Sequence, residues 1–302
     1  MNLPALDPQN ALIHTAFYRF TPLADATAAA ATLRDLAAAL LGAITVAPEG
    51  LNGALAGSPA AVLAFEAALQ RADMFRGAFA GMPFKHSACT TPPYARLKVL
   101  AKPETVALGL PGVQTLPPPD AADNSHLSPL QWRELLQREV LRGDVVLLDN
   151  RNHFEFRLGH FKGAADPEVR HFRDFVVYVE QHAPAWRAAA RPVAMYCTGG
   201  IRCDKTAPWL RSLGLQVLQL DGGILNYFQQ LPDAQRGWQD AWHSDWHSDW
   251  HSEWQGECFV FDKRIALNPA LQETPTTAEQ VFDAADPGEA WRLARARRLD
   301  AF

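Results

Sequence analysis

The chain has 302 residues, 48% of them hydrophobic and 20% charged, the makeup of an ordinary globular protein long enough for two modest domains. A formal net charge of −5 excludes a surface that is basic throughout, so any contact with nucleic acid has to be local. No run reaches the roughly 18 apolar residues of a membrane span, the opening MNLPALDPQN lacks the basic and apolar regions of a signal peptide, and four cysteines suit a reducing cytoplasm better than a disulfide scaffold.

Residues 11–20 (ALIHTAFYRF) predict a strand ended by Thr21-Pro22. The Ala- and Leu-rich stretch 23–41 predicts a helix closed by Gly42. AITVAPE predicts a strand, the turn Glu49-Gly-Leu-Asn-Gly53 leads into a short ALAG strand, and Asn52-Gly53 is expected to supply the positive φ of the hairpin. Ser58-Pro59 is an N-cap and first turn for a helix to about residue 71, and strand-like pieces follow near 82–89 and at 96–101. The order β-α-β-β-α-β is the split-βαβ, ferredoxin-like arrangement. Lys85, Arg96 and Lys98 give the end of this domain a basic character, read either as an RNA-backbone patch or as a solvated face.

Residues 103–126, with Pro117-Pro-Pro119 at their centre, predict a semi-extended linker. Ser128-Pro129 starts a helix ending at Gly143, and DVVLLDN is a short apolar strand of the parallel kind. Asp149 and Arg151 fall at its C-terminal end, where they either meet a ligand or brace the loop as an ion pair. A short helix at 153–158, a turn over 159–164, a helix over about 168–182, PVAMYC as a strand, a strand at 215–220, the turn Asp221-Gly-Gly223 and the helix ILNYFQQL complete an alternating pattern. That alternation specifies a parallel sheet covered on both faces. The expected organisation is therefore a ferredoxin-like domain over 1–104, a linker over 105–126, a parallel-sheet α/β domain over 127–235 and an extension over 236–302, an α+β unit followed by an α/β unit.

The chemistry concentrates in Cys197-Thr198-Gly199-Gly200-Ile201-Arg202-Cys203. A buried strand ending in a cysteine, a glycine loop and a helix predicted over 203–213 and closed by Gly214 place Cys197 where loop amides and the helix's positive end converge, which favours the thiolate. Gly199 and Gly200 are expected to let the backbone curl so that its N–H groups point inward. A cysteine phosphatase needs Cys-x5-Arg, whereas here Arg202 comes one position earlier, so the tighter loop suits a persulfide on Cys197 better than a phosphate ester. Arg202 either closes the bowl or fixes charge on the substrate. The alternatives are a merely buried strand cysteine and a zinc site, and the latter lacks a second cysteine pair.

DNRNHFEFRLGHFKGA, MYCTGGIRC and LDGGI resemble the rhodanese domain. Together with EGLNG, PPYARLKV at 92–99 and GECFVFDKR at 256–264, the chain over roughly 11–268 resembles the rhodanese-like tRNA uridine hydroxylases. The resemblance implies an oxygen-dependent enzyme that makes 5-hydroxyuridine at the wobble position of tRNA, with tRNA as partner, molecular oxygen as co-substrate and Cys197 at the persulfide-type active-site position. The residues themselves add no 2-His-1-carboxylate pattern, no GxGxxG fingerprint and no flavin signature, so no cofactor or metal is expected from them, and no protein partner is predicted. The loop alone suggests a thiosulfate or persulfide sulfurtransferase, with Cys197 as nucleophile, Arg202 and the loop amides holding the anion, and Cys203 able to resolve the persulfide. A binding module with an inactive rhodanese-like domain is a third reading.

The chain departs from its relatives in three places. Asn150 replaces an apolar residue between Asp149 and Arg151, which is expected to loosen the strand end, and the chain ends in a basic RLARARRLDAF where many relatives carry cysteines. A tandem repeat runs Trp242-His-Ser-Asp, Trp246-His-Ser-Asp, Trp250-His-Ser-Glu, Trp254. On a helix it aligns four tryptophans in one stripe, and it is read as a spacer or packing element, with metal binding or base stacking as alternatives.

Overall fold

The computed structural model describes residues 12–89, 92–110, 125–140, 142–231 and 253–300. Its contacts divide the chain into two compact units, residues 1–107 with 298–302, and residues 108–297. The middle of the expected linker and the tryptophan repeat up to residue 252 lie outside the described residues.

The first unit runs β1 (Leu12–Phe20), α1 (Ala26–Leu36), β2 (Leu41–Ala47), β3 (Gly50–Gly57), α2 (Pro59–Arg71), β4 (Lys85–Cys89) and β5 (Leu97–Ala101). The sheet order is β4-β1-β3-β2-β5, in which the first four strands pair antiparallel and β5 joins the edge parallel to β2. This is the split-βαβ fold with one added strand. Alternation puts Ile13, Thr15 and Phe17 of β1 on the face that meets Leu33 of α1 and Val62, Phe65 and Leu69 of α2, all buried. The Asp25 carboxylate accepts from the amides of Thr27 and Ala28 at 2.9 Å, and the Ser58 hydroxyl from Ala61 at 3.3 Å, so both helices start at side-chain caps.

Two glycine assignments are corrected. The first helix ends at Leu36, five residues before β2, and Gly42 sits inside β2 at φ +138°, where a Cβ would lie 2.2 Å from the Ala54 carbonyl oxygen. It serves strand approach rather than a helix cap. The hairpin turn is Pro48-Glu49, and Asn52-Gly53 lies within β3, where the Phe17 ring occupies the space a Gly53 Cβ would need.

The second unit runs β6 (His126–Leu127), α3 (Pro129–Leu135), β7 (Val146–Asp149), α4 (His153–Leu158), β8 (Gly159–Phe161), α5 (Phe175–Ala188), β9 (Val193–Tyr196), α6 (Ile201–Ser212), β10 (Val217–Leu220) and α7 (Gly223–Gln230). After the undescribed stretch come β11 (Trp254–Gly256), β12 (Cys258–Phe259), β13 (Ala266–Leu267), α8 (Ala278–Val281) and α9 (Pro287–Asp300). The central sheet, β6-β10-β9-β7, is parallel throughout, with a parallel bridge from Leu148 to Ala165 extending it beyond β7. One face packs on Trp132, Phe161, Tyr227 and Phe228, the other on Phe175, Val179, Trp186 and Leu210. Strands buried on both faces explain the continuous apolar runs VVLL and VAMY.

Several element bounds differ from expectation. α3 gives way after Leu135 to a π-helical turn over Leu136–Val140, and the helix expected over 168–182 starts as a 3₁₀ turn at Phe172–Asp174 and continues as α5 to Ala188. The expected turn over 159–164 contains β8, whose antiparallel partner β11 brings Trp254 against Phe161 and Phe228, with ring centroids 5.0 and 5.3 Å away. The last tryptophan of the repeat is thus a buried strand residue, not part of a helical stripe. Among the described residues no helix is long and apolar enough to cross a membrane.

Candidate functional site

β9 delivers Cys197 to the C-terminal edge of the parallel sheet, and α6 leaves from the same loop. α6 begins at Ile201, two residues earlier than predicted, with Gly200 at its N-cap at φ +100°. That left-handed backbone turns the Gly200 amide onto Cys197, and it donates to Sγ at 3.1 Å. The curl therefore rests on Gly200. Gly199 has no positive φ, and a Cβ there would meet nothing within 4 Å.

The loop is held from beneath by the start of α7. Ile224 donates its amide to the Cys197 carbonyl at 3.0 Å and Leu225 to the Thr198 carbonyl at 3.2 Å. Such an approach requires Gly223, at φ +72°, where a Cβ would lie 2.5 Å from Cys197 O, 2.7 Å from Thr198 O and 2.8 Å from the Gly200 nitrogen. A Gly223→Ala protein is expected to lose about 2–5 kcal/mol of stability through left-handed strain and overpacking. Circular-dichroism melting measures it, and an unchanged melting temperature would contradict the packing.

Electrostatics favour the thiolate. Burial works against ionisation of Cys197, but a hydrogen bond from the Cys203 thiol, the Arg202 charge and the amides of Cys203 and Arg202 outweigh it and bring the thiol down to about 6. Cys203 moves the opposite way, pushed up by burial and then by the hydrogen bond and charge of Cys197. One sulfur is thus the anion and its neighbour the proton donor. Iodoacetamide alkylation of Cys197 is expected to titrate near pH 6. In Cys203→Ala the midpoint is expected to rise toward the free-thiol value of about 8.5, because the thiolate loses a donor. A midpoint that stays put would remove Cys203 from the thiolate's support.

The Arg202 guanidinium is committed to the protein. Its Nη1 and Nη2 donate to the two carboxylate oxygens of Glu155, each at 2.7 Å, and Nη2 lies 3.5 Å from Thr198 Oγ1. Glu155 is fully buried at the third position of α4, where the Asn152 amide and side-chain amide also donate to it, at 3.1 and 2.9 Å. Burial opposes its charge, yet the charge and hydrogen bonds of Arg202 prevail and hold its pKa below the usual carboxylate range. Arg202 therefore acts on Cys197 as a fixed positive charge that braces the loop.

Asp149 and Arg151 form a fully buried bidentate pair at 2.8 and 2.6 Å, and Arg151 also donates to the Gly159 carbonyl at 2.6 Å. The guanidinium lies 5.5 Å from the Trp254 ring and 5.7 Å from that of Tyr196. The pair ties β7 to β8 beside the cysteine strand. Asn150 does not loosen this end: its amide donates to Tyr196 O at 2.9 Å and its side chain to Thr206 Oγ1 of α6 at 2.9 Å.

The basic residues singled out in the first unit do not converge. Lys85 is on β4 and Lys98 on β5, the two outer strands, separated by four strand spacings of about 4.8 Å each. Lys85 lies 5.6 Å from the Tyr18 ring, and exposed Arg96 precedes β5. Among the described residues, no group of three or more His, Cys, Asp or Glu side chains could hold a metal ion, and none of the four cysteines, all buried, is in a disulfide. Sequence reasoning missed Glu155, although Asn152-x-x-Glu155 has the pattern of a capping box.

Residues 12–105 match the family description UPF0176 acylphosphatase like domain, and residues 133–230 match the rhodanese-like domain. A protein of Nitrobacter winogradskyi is 40% identical over 273 residues, 89% of this chain and 96% of its own length. Relatives in Synechococcus elongatus (40% over 259 residues, 85% of each chain) and Deinococcus radiodurans (37% over 261 residues, 85% of this chain and 76% of the relative) carry the same name, tRNA uridine(34) hydroxylase. With a ferredoxin-like unit, a parallel-sheet unit carrying the cysteine nest, and this identity along most of its length, the chain belongs to the tRNA uridine(34) hydroxylase family.

Proposed function

We propose that the protein hydroxylates the wobble uridine of tRNA to 5-hydroxyuridine in the cytoplasm, with molecular oxygen as co-substrate and Cys197 as the reactive group. The observation that carries this reading is a buried cysteine at about 6, held by the Gly200 amide, Cys203 and Arg202, in a chain whose relatives bear the hydroxylase name. At pH 7 that thiol is roughly nine-tenths ionised. The loop from Thr198 to Ile201 forms the anion bowl, Cys203 supplies the donor, and Asp149 with Arg151 keeps the strand end in register. A net charge of −5 confines RNA-backbone contact to local patches, and Arg96 and Lys98, two residues apart at one sheet edge, are the candidates in the first unit.

The test is nucleoside analysis of tRNA from a strain lacking the modification after incubation with the protein under air and a thiol reductant, which supplies the two electrons that take the second oxygen atom to water. 5-Hydroxyuridine is expected, and none is expected without oxygen. A Cys197 persulfide formed from thiosulfate, with no 5-hydroxyuridine under any condition, would assign sulfur transfer instead.

A further inference from the structure

Phe261 is 60% exposed, in the turn that joins β12 to β13. Isolated apolar side chains on a surface are ordinary, but this one is built into place. Arg264 donates from Nε and Nη2 to the Asp262 carboxylate at 2.8 and 2.7 Å, and both side chains are buried, 1% and 3% exposed. The turn closes with the Val260 amide on Ile265 O at 2.8 Å and the Ile265 amide on Asp262 O at 3.1 Å. A buried ion pair is an expensive way to hold a surface turn, and its effect here is a fixed backbone under Phe261.

The ring is also fixed laterally. It meets buried Phe259 edge-on at 4.9 Å and stands 6.5 Å from buried Phe154, while the Arg202 guanidinium is 5.9 Å from its centroid. Arg202 is the residue whose charge lowers Cys197. A rigid, solvent-facing aromatic therefore stands at the wall of the reactive loop, within the same unit as the cysteine.

We propose that Phe261 is the surface on which the target uridine stacks once it leaves the anticodon stack to reach Cys197. The inference rests on the function proposed above and names how that substrate is held. An extruded base loses stacking on both faces, and an aromatic side chain restores part of it whatever the base's hydrogen-bonding edge. A ring pre-set by the Asp262–Arg264 clamp gives that contact with little ordering cost.

The experiment compares the full-length protein's affinity for two fluorescent anticodon stem-loops, one with uridine and one with an abasic site at the wobble position. Wild type is expected to prefer uridine by on the order of 10- to 100-fold, the scale of one base–aromatic stack. Phe261→Ala is expected to abolish the preference while binding the abasic RNA as wild type does, and Phe261→Trp to keep it. Equal loss on both RNAs, or an unchanged preference in Phe261→Ala, overturns the proposal. Unchanged alkylation of Cys197 in both variants certifies the loop. Base-dependent binding without any hydroxylation by wild type would refute the function proposed above and leave the stacking role standing.

Discussion

A Cys197→Ser protein is expected to form 5-hydroxyuridine at least three orders of magnitude more slowly than wild type while melting within a few degrees of it. The substitution keeps the nest: the Gly200 amide still has an acceptor, and the oxygen is smaller than the sulfur it replaces. What it removes is the anion. Arg202, Cys203 and the loop amides bring a thiol from its ordinary value to about 6, whereas a serine hydroxyl starts so far above neutrality that the same set leaves it protonated. Loss therefore reports on charge at this atom rather than on shape. The measurement is 5-hydroxyuridine per tRNA against time, beside a melting curve and an anisotropy titration with tRNA. Tight binding with no product separates chemistry from docking, and a variant retaining a tenth of wild-type activity would show that Cys197 is not the reactive group.

What the sequence revealed of this site follows from how local each feature is. Strand, glycine loop and helix around Cys197 are encoded within 20 consecutive residues, Val193 to Ser212, so the bowl, Arg202 and Cys203 were legible. So was the split-βαβ order, because Ser58-Pro59 and the apolar alternation of β1 mark their own elements. The fifth strand, β5, was legible as a strand, but its seat beside β2 depends on a pairing between residues more than fifty positions apart. Glycines misled for the same reason. Gly42 looked like a helix cap because its collision partner, the Ala54 carbonyl, is in another strand. The roles of Glu155, Gly223 and Phe261 are set by contacts with Arg202 or the cysteine loop, from segments 20 to 60 positions away in sequence. Trp254 shows the limit of periodicity: its four-residue repeat suggests a helix, yet pairing with β8 makes it a strand.

Glu155→Gln is expected to cost about 3–5 kcal/mol of stability, a fall in melting temperature of about 6–20 °C for a unit of this size. The cost arises because the carboxylate is the bidentate partner of Arg202 in a buried setting, so the amide leaves a guanidinium without its counter-charge. The sign of the pH dependence follows. Glu155 has a lowered pKa in the folded protein, so its contribution is present above the unfolded-state value of about 4.3 and is lost as pH falls below it through the folded value. Wild type and variant should therefore differ most near neutrality and converge in acid. A gap that is constant with pH would mean that the carboxylate's charge is not what stabilises. The pair Glu155→Leu with Arg202→Met separates stability from chemistry, since replacing both partners of a buried ion pair by apolar side chains is often neutral. Melting should recover toward wild type, yet the alkylation midpoint of Cys197 should remain above 6, because the positive charge that helps to lower it has gone. Recovery of both would reduce Arg202 to packing. Recovery of the fold alone assigns to one buried carboxylate the task of holding, at the edge of a reactive loop, the cation on which the thiolate depends.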